Sequence, residues 1–103
     1  MRQYADAQED FPPPLALAPW RVRKAEALPG YRVRVSFNDG TEGVVDLGRQ
    51  IHAADAGVFA SLRDPSLFDQ LRVELGVVTW PGDLDLAPDA MHFEILKNGE
   101  WTL

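Results

Sequence analysis

The sequence contains no cysteine. Disulfides, thiolate metal sites and cysteine nucleophiles are excluded together, so the fold has to stand on its core alone. Long apolar runs are missing too. Pro12, Pro13, Pro14 and Pro19 interrupt the first hydrophobic stretch, and nothing approaches the roughly 18 apolar residues of a spanning helix. The segment from Met1 to Asp10 is polar and acidic, without the apolar centre of a signal peptide. A cytoplasmic protein with no membrane segment is the expectation. Histidine is scarce, with only His52 and His92 present. Zinc normally takes three protein ligands with a water or four without, and no spacing in the sequence brings these two rings together.

What remains is an ordinary globular composition, 46% hydrophobic and 25% charged over 103 residues. That length suits one domain, with enough core to fold without a metal or disulfide staple. Residues 1–19 read as a flexible proline-rich arm, since the proline run favours polyproline II over helix or strand. Residues 20–103 read as a single α+β domain.

Alternation begins at Trp20. Trp20 and Val22 alternate with Arg21 and Arg23, and Leu28-Pro29-Gly30 supplies a turn. Tyr31, Val33, Val35 and Phe37 then share one face of a strand, with Arg32, Arg34 and Ser36 on the other. Asn38-Asp39-Gly40 turns the chain into a third strand over Thr41 to Leu47, which completes an antiparallel three-stranded meander. Asp46 can cap a short helix over Leu47 to Ala54, with Gly57 as its stop. Val58, Phe59 and Leu62 suggest another helical turn, and Asp64-Pro65 starts a helix ending near Gln70. Leu71–Leu75 and Val77–Trp80 flank Gly76 as a late β-hairpin. Pro88 and Asp89 open a short C-terminal helix through about Phe93.

One arrangement stands out along this order. Leu28-Pro29-Gly30-Tyr31, Phe37-Asn38-Asp39-Gly40 and Val45-Asp46-Leu47 are followed by Gly57-Val58-Phe59 and Leu62-Arg63-Asp64-Pro65. The segment closes on Val78-Thr79-Trp80-Pro81 and Asp85-Leu86-Ala87-Pro88-Asp89. From Trp20 to Met91 the chain resembles the domain-of-unknown-function family 2442 of small bacterial proteins. Asp39, Gly40, Phe59, Trp80, Pro81 and Asp85 carry the resemblance, and Trp-Pro to Asp-Leu-x-Pro is its most specific part. Gly82-Asp83-Leu84 departs from the asparagine-glycine type of turn expected after the Trp-Pro pair. The resemblance implies a compact α+β fold, no established activity and no catalytic residues to transfer. It also implies membership, for some relatives, of two-gene modules resembling toxin–antitoxin pairs. Some relatives carry an added helix-turn-helix domain, for which too few residues follow Met91.

The charge of −6 opposes binding to a phosphate backbone unless positive side chains gather on one face. Five of the ten basic residues fall between Arg21 and Arg34. If the first two strands pair in simple register, Arg21, Arg23, Arg32 and Arg34 project from the same non-core face. That face is the candidate partner-binding surface, either for an acidic protein or for nucleic acid; a solvated sheet face protected from aggregation is the plain alternative. Trp20, Trp80 and Trp101 read either as binding anchors or as core residues.

Other constellations carry less. Asp83, Asp85, Asp89 and Glu94 match part of a calcium loop, but Ala87 and Pro88 occupy its required oxygen and glycine positions. His52 with Asp55, and Asp89 with His92, are two-ligand clusters at most. Ser36, Ser61 and Ser66 lack a nucleophile-elbow setting, and no glycine loop suits a phosphate. The expectation is a non-enzymatic protein-interaction module without a cofactor, whose partner is a protein encoded beside it; a nucleic-acid-binding regulatory domain using the basic sheet face is the first alternative, and a metal-dependent enzyme built on His52, His92 and the aspartates the more remote one.

Overall fold

A computed structural model of the chain describes residues 18–82 and 84–103. The proline-rich arm expected over residues 1–19 lies outside the described residues, except for Ala18 and Pro19, and so does Asp83.

The meander forms as the alternation requires. Strands β1 (Val22–Leu28), β2 (Arg32–Phe37) and β3 (Glu42–Asp46) pair antiparallel in sequence order. Val33, Val35, Phe37 and Val45 are fully buried on its inner face. Tyr31, expected to open the second strand, sits instead in the connecting loop. Gly30 and Tyr31 both have positive φ, 81° and 62°, and the Tyr31 hydroxyl donates to the Arg63 carbonyl. The next turn closes on Gly40 at φ 89°, where an Asp39 carboxylate oxygen accepts the Thr41 N–H at 2.9 Å.

The middle of the chain is short helical pieces. Helix α1 (Gly48–His52) is briefer than its hydrophobic spacing suggested, because Ala53 is already extended at ψ 152°. Asp46 serves its start from one residue further out, accepting the Gly48 N–H at 3.0 Å. A 3₁₀ helix spans Gly57–Arg63. Helix α2 (Pro65–Phe68) begins as its sequence signals: Pro65 stands in the first turn and the Asp64 carboxylate accepts the Ser66 N–H at 3.0 Å. The Ser66 hydroxyl and backbone N–H hold the Asp64 carboxyl below its usual range.

A second sheet follows, ordered β4 (Arg72–Glu74), β5 (Val77–Trp80), β6 (Leu84–Asp85). Leu75 and Gly76 join β4 to β5 with φ of 52° and 81°, the double left-handed geometry a tight two-residue hairpin needs. Strand β6 has only two residues, too few for alternation to reveal. Trp80 is the largest fully buried side chain. Its indole N–H donates to the Phe68 carbonyl at 2.8 Å, which ties this sheet to α2.

Helix α3 (Pro88–Asn98) runs further than the expected stop near Phe93. It ends where Gly99 turns left-handed at φ 81° and donates to the Ile95 carbonyl at 2.7 Å. The chain then returns as β7 (Glu100–Thr102), parallel to β3, so the first sheet reads β1-β2-β3-β7. Met91 and Ile95 enter the common core with the inner valines, Phe37 and Trp80. No helix among the described residues is long and apolar enough to cross a membrane.

Seating α3 against β3 depends on one missing side chain. A Cβ built at Gly43 would stand 2.6 Å from Ile95 Cγ2 and 2.8 Å from the Gly99 carbonyl oxygen. The methyl of isoleucine can give way; a helix-terminal carbonyl holding the chain into β7 cannot move as freely. Gly43→Ala is therefore expected to cost about 1–3 kcal/mol, the usual range for overpacking. Urea unfolding followed by tryptophan fluorescence measures this, with amide exchange in β7 expected to accelerate.

Candidate interaction surface

The four arginines do not form one face. β1 is in register with β2 from Lys24 to Leu28, but a bulge between Val22 and Lys24 shifts the pairing and takes Arg23 out of the alternation. Arg21 lies beyond it, beside the second sheet. Its guanidinium donates to the Leu75 carbonyl at 2.9 Å and stacks 4.5 Å from the centre of the Trp20 ring. Its aliphatic stem fills the space above Gly76, where a Cβ would come within 2.5 Å of it. Arg21 is thus part of the join between the sheets, a role that alternation alone could not show.

Arg32 and Arg34 do stand exposed on the outer sheet face, but Arg32 donates to the Pro29 carbonyl at 3.2 Å and Arg34 has acidic neighbours. Glu26 pairs across from Arg34 with a 4.0 Å contact, both side chains well exposed, and such a surface pair contributes little. Lys24, Glu26, Arg34, Ser36 and Glu42 line one shallow depression of about 210 Å³. The Ser36 hydroxyl faces Glu42 at 3.4 Å. Positive and negative groups alternate here, so the face lacks the uniform sign that would steer a phosphate backbone.

The family-motif residues are mostly structural. Gly40 and Pro81 stand at turns, Phe59 packs on the core edge, Trp80 fills the core and Asp85 is exposed on β6. Trp20 and Trp101 are half-buried, so none of the three tryptophans offers a free ring. Asp85 on a strand, Asp89 in the first turn of α3 and Glu94 in its middle rule out a common calcium loop. His52 stays within its own helix, its Nδ1–H donating to the Gly48 carbonyl at 2.8 Å, with Tyr31 edge-on at 5.2 Å. Among the described residues no three His, Asp or Glu side chains gather in a metal-holding cluster.

Four large apolar side chains stand exposed among the described residues: Val58 in the 3₁₀ helix and Leu75 in the β4–β5 turn are separate from one another in the chain, whereas Phe93 and Leu96 share α3. Met91 and Ile95 face inward, whereas Phe93 is 60% and Leu96 61% exposed. Three residues apart on a helix, these two are neighbours on one outward stripe. Lys97 places its ammonium 5.7 Å from the Phe93 ring centre. From Leu84 onward the described charges are Asp85, Asp89, Glu94 and Glu100 against Lys97, an acidic excess in this part of the chain, with Asp89 one helical turn before Phe93. Reading the helix only to Phe93 concealed it. Carried on to the Gly99 stop, the 3.6-residue period leaves Phe93 and Leu96 out of phase with Met91 and Ile95.

His92 anchors this helix to the β2–β3 turn. Its Nε2 lies 2.9 Å from a carboxylate oxygen of Asp39, and because a carboxylate only accepts, Nε2 carries the proton. The ring stands edge-on to Phe37 at 4.9 Å. Partial burial pushes the Asp39 carboxyl up, but hydrogen bonds from the Thr41 backbone, His92 and the Thr41 hydroxyl outweigh it and lower the carboxyl from 3.8 to about 2. A carboxyl depressed in the folded state stabilises fully above its unfolded value, and that contribution is lost as pH falls from about 3.8 through about 2. Asp39→Asn should accordingly lower stability near neutrality and flatten the fall in stability across that acid window. Chemical denaturation at a series of pH values checks this, and an unchanged acid slope would mean that the pair is not coupled to folding.

Comparison with known proteins gives the family and no more. No curated protein and no solved structure matches the chain. The sequence pattern of the family described as "Protein of unknown function (DUF2442)" matches residues 22–96, which takes in both sheets except β7 and most of α3. With the meander, the Trp80 core and the Gly43–Ile95 contact all inside that span, the chain belongs to the DUF2442 family.

Proposed function

We propose that this protein is a non-catalytic interaction module that binds a partner protein encoded beside it, as one half of a two-gene, toxin–antitoxin-like system. One observation carries the reading: Phe93 and Leu96 stand 60% and 61% exposed, side by side on the outer stripe of α3. Scattered single apolar residues on a surface are unremarkable, but an aromatic and a leucine adjacent on one helix face are what a partner's pocket takes as anchors. Asp89, one turn before Phe93 on the same helix, and the acidic excess from Leu84 onward favour a partner whose apolar pocket has a basic rim. That complementarity replaces the acidic partner that four aligned arginines would have called for. The resemblance of some relatives to members of paired gene modules supports a co-encoded partner.

Co-expression with the products of the adjacent genes tests the proposal. A stoichiometric complex is expected with one of them, weakened at least about thirtyfold by Phe93→Asp with Leu96→Asp, as for hot-spot anchors worth about 2 kcal/mol or more. Arg32→Glu with Arg34→Glu should leave it intact. Failure of every neighbour-encoded protein to bind, or a complex indifferent to the α3 double variant, contradicts the proposal.

A further inference from the structure

We infer that the free protein pairs with a second copy of itself through α3, the two helices running antiparallel and crossing at Phe93. The inference goes beyond the preceding reading, because it needs no other protein; a co-encoded partner that takes the same anchors competes with the second copy.

Five residues make the outer stripe of α3, and each of them is exposed: Asp89, Ala90, Phe93, Leu96 and Lys97. Asp89 and Ala90 lie four and three positions before Phe93, and Leu96 and Lys97 lie three and four after it, so all five share one helix face. Phe93 is the centre of the pattern. A twofold axis beside Phe93 brings a second α3 against the first in the opposite direction, and sets each residue level with the one equally far from Phe93 on the other side.

In that register the stripe complements itself. Asp89 stands level with Lys97 of the second copy, twice by symmetry, and helices packed about 8–10 Å apart put the carboxylate within reach of the long lysine stem. Leu96 stands level with Ala90 of the second copy, large opposite small. The two Phe93 rings meet at the centre. A parallel arrangement would instead set Asp89 against Asp89 and Lys97 against Lys97, so the charges fix the direction. Phe93 and Leu96 are already 60% and 61% exposed, and Lys97 already holds its ammonium 5.7 Å from the Phe93 ring centre. The surface is ready in the single chain.

Five residues from each copy fall short of the roughly 1,200–2,000 Å² of a standard interface, so the dimer is weak and exchanges readily, which leaves its anchors available to another protein. The charge of −6 on each copy adds a long-range repulsion that physiological salt screens.

Sedimentation equilibrium of the full chain at physiological salt, at concentrations up to about 1 mM, reads the association. A monomer–dimer equilibrium is expected, weakened at least about tenfold by Phe93→Asp. Asp89→Lys and Lys97→Asp should each weaken it about tenfold, since two attractive pairs become two repulsive ones. An equimolar mixture of the two variants should associate again, because each supplies the charge that the other lacks. Asp89→Lys is the decisive variant: it lowers the net charge, so long-range repulsion alone would make it dimerise better. Both charged positions are exposed, and circular dichroism checks that each variant keeps the fold. A chain that stays monomeric throughout, a dimer that Phe93→Asp leaves intact, or one that both charge variants leave unchanged overturns the inference. So does a mixture as dissociated as its components. No other protein is present in the measurement, so its failure leaves the proposed co-encoded partner to be judged by co-expression alone.

Discussion

The approach of α3 to β3 over Gly43 is the contact on which the rest of the arrangement turns. Without a side chain at that position, Ile95 and the Gly99 carbonyl come down onto the strand. Met91 and Ile95 then complete the core, and the left-handed Gly99 delivers β7 to the edge of β3. The same placement decides what faces outward. With Met91 and Ile95 committed to the core, the helical period leaves Phe93 and Leu96 to solvent, and His92 meets Asp39 on the flank. A structural constraint at one glycine thereby defines the surface proposed to bind a partner.

A second join, at the other edge of the sheet, explains why the charged residues of β1 do not act together. The Val22 N–H donates to the Gly76 carbonyl at 2.9 Å, and Arg21 lies over Gly76 to reach Leu75. Holding β1 to the β4–β5 turn while keeping it paired with β2 is accommodated by the bulge at Arg23. The arginines serve two purposes as a result. Arg21 joins the sheets, and Arg32 and Arg34 solvate an outer face balanced by glutamates.

Much of this was legible in the residues. The strict alternation from Val33 to Phe37, the Asn38-Asp39-Gly40 turn and the Asp64-Pro65 helix start each have a local physical cause, and each formed where that cause placed it. What the sequence concealed depends on contacts between distant segments. The Arg23 bulge answers to Gly76, the parallel strand β7 answers to β3, and the Asp39–His92 pair spans 53 positions. The outward stripe of α3 was hidden differently: its period was readable, but only once the Gly99 stop set the length of the helix.

Gly43 seats α3 with Ile95 inward and Phe93 outward, an orientation that nuclear Overhauser contacts in the native protein report. Strong contacts are expected from the Gly43 α-protons to the Ile95 methyl groups, and none from the Phe93 ring to β2 or β3. Contacts between the Phe93 ring and the inner valines Val33, Val35 or Val45 would contradict it, since α3 would then be rotated and its outer face a different one.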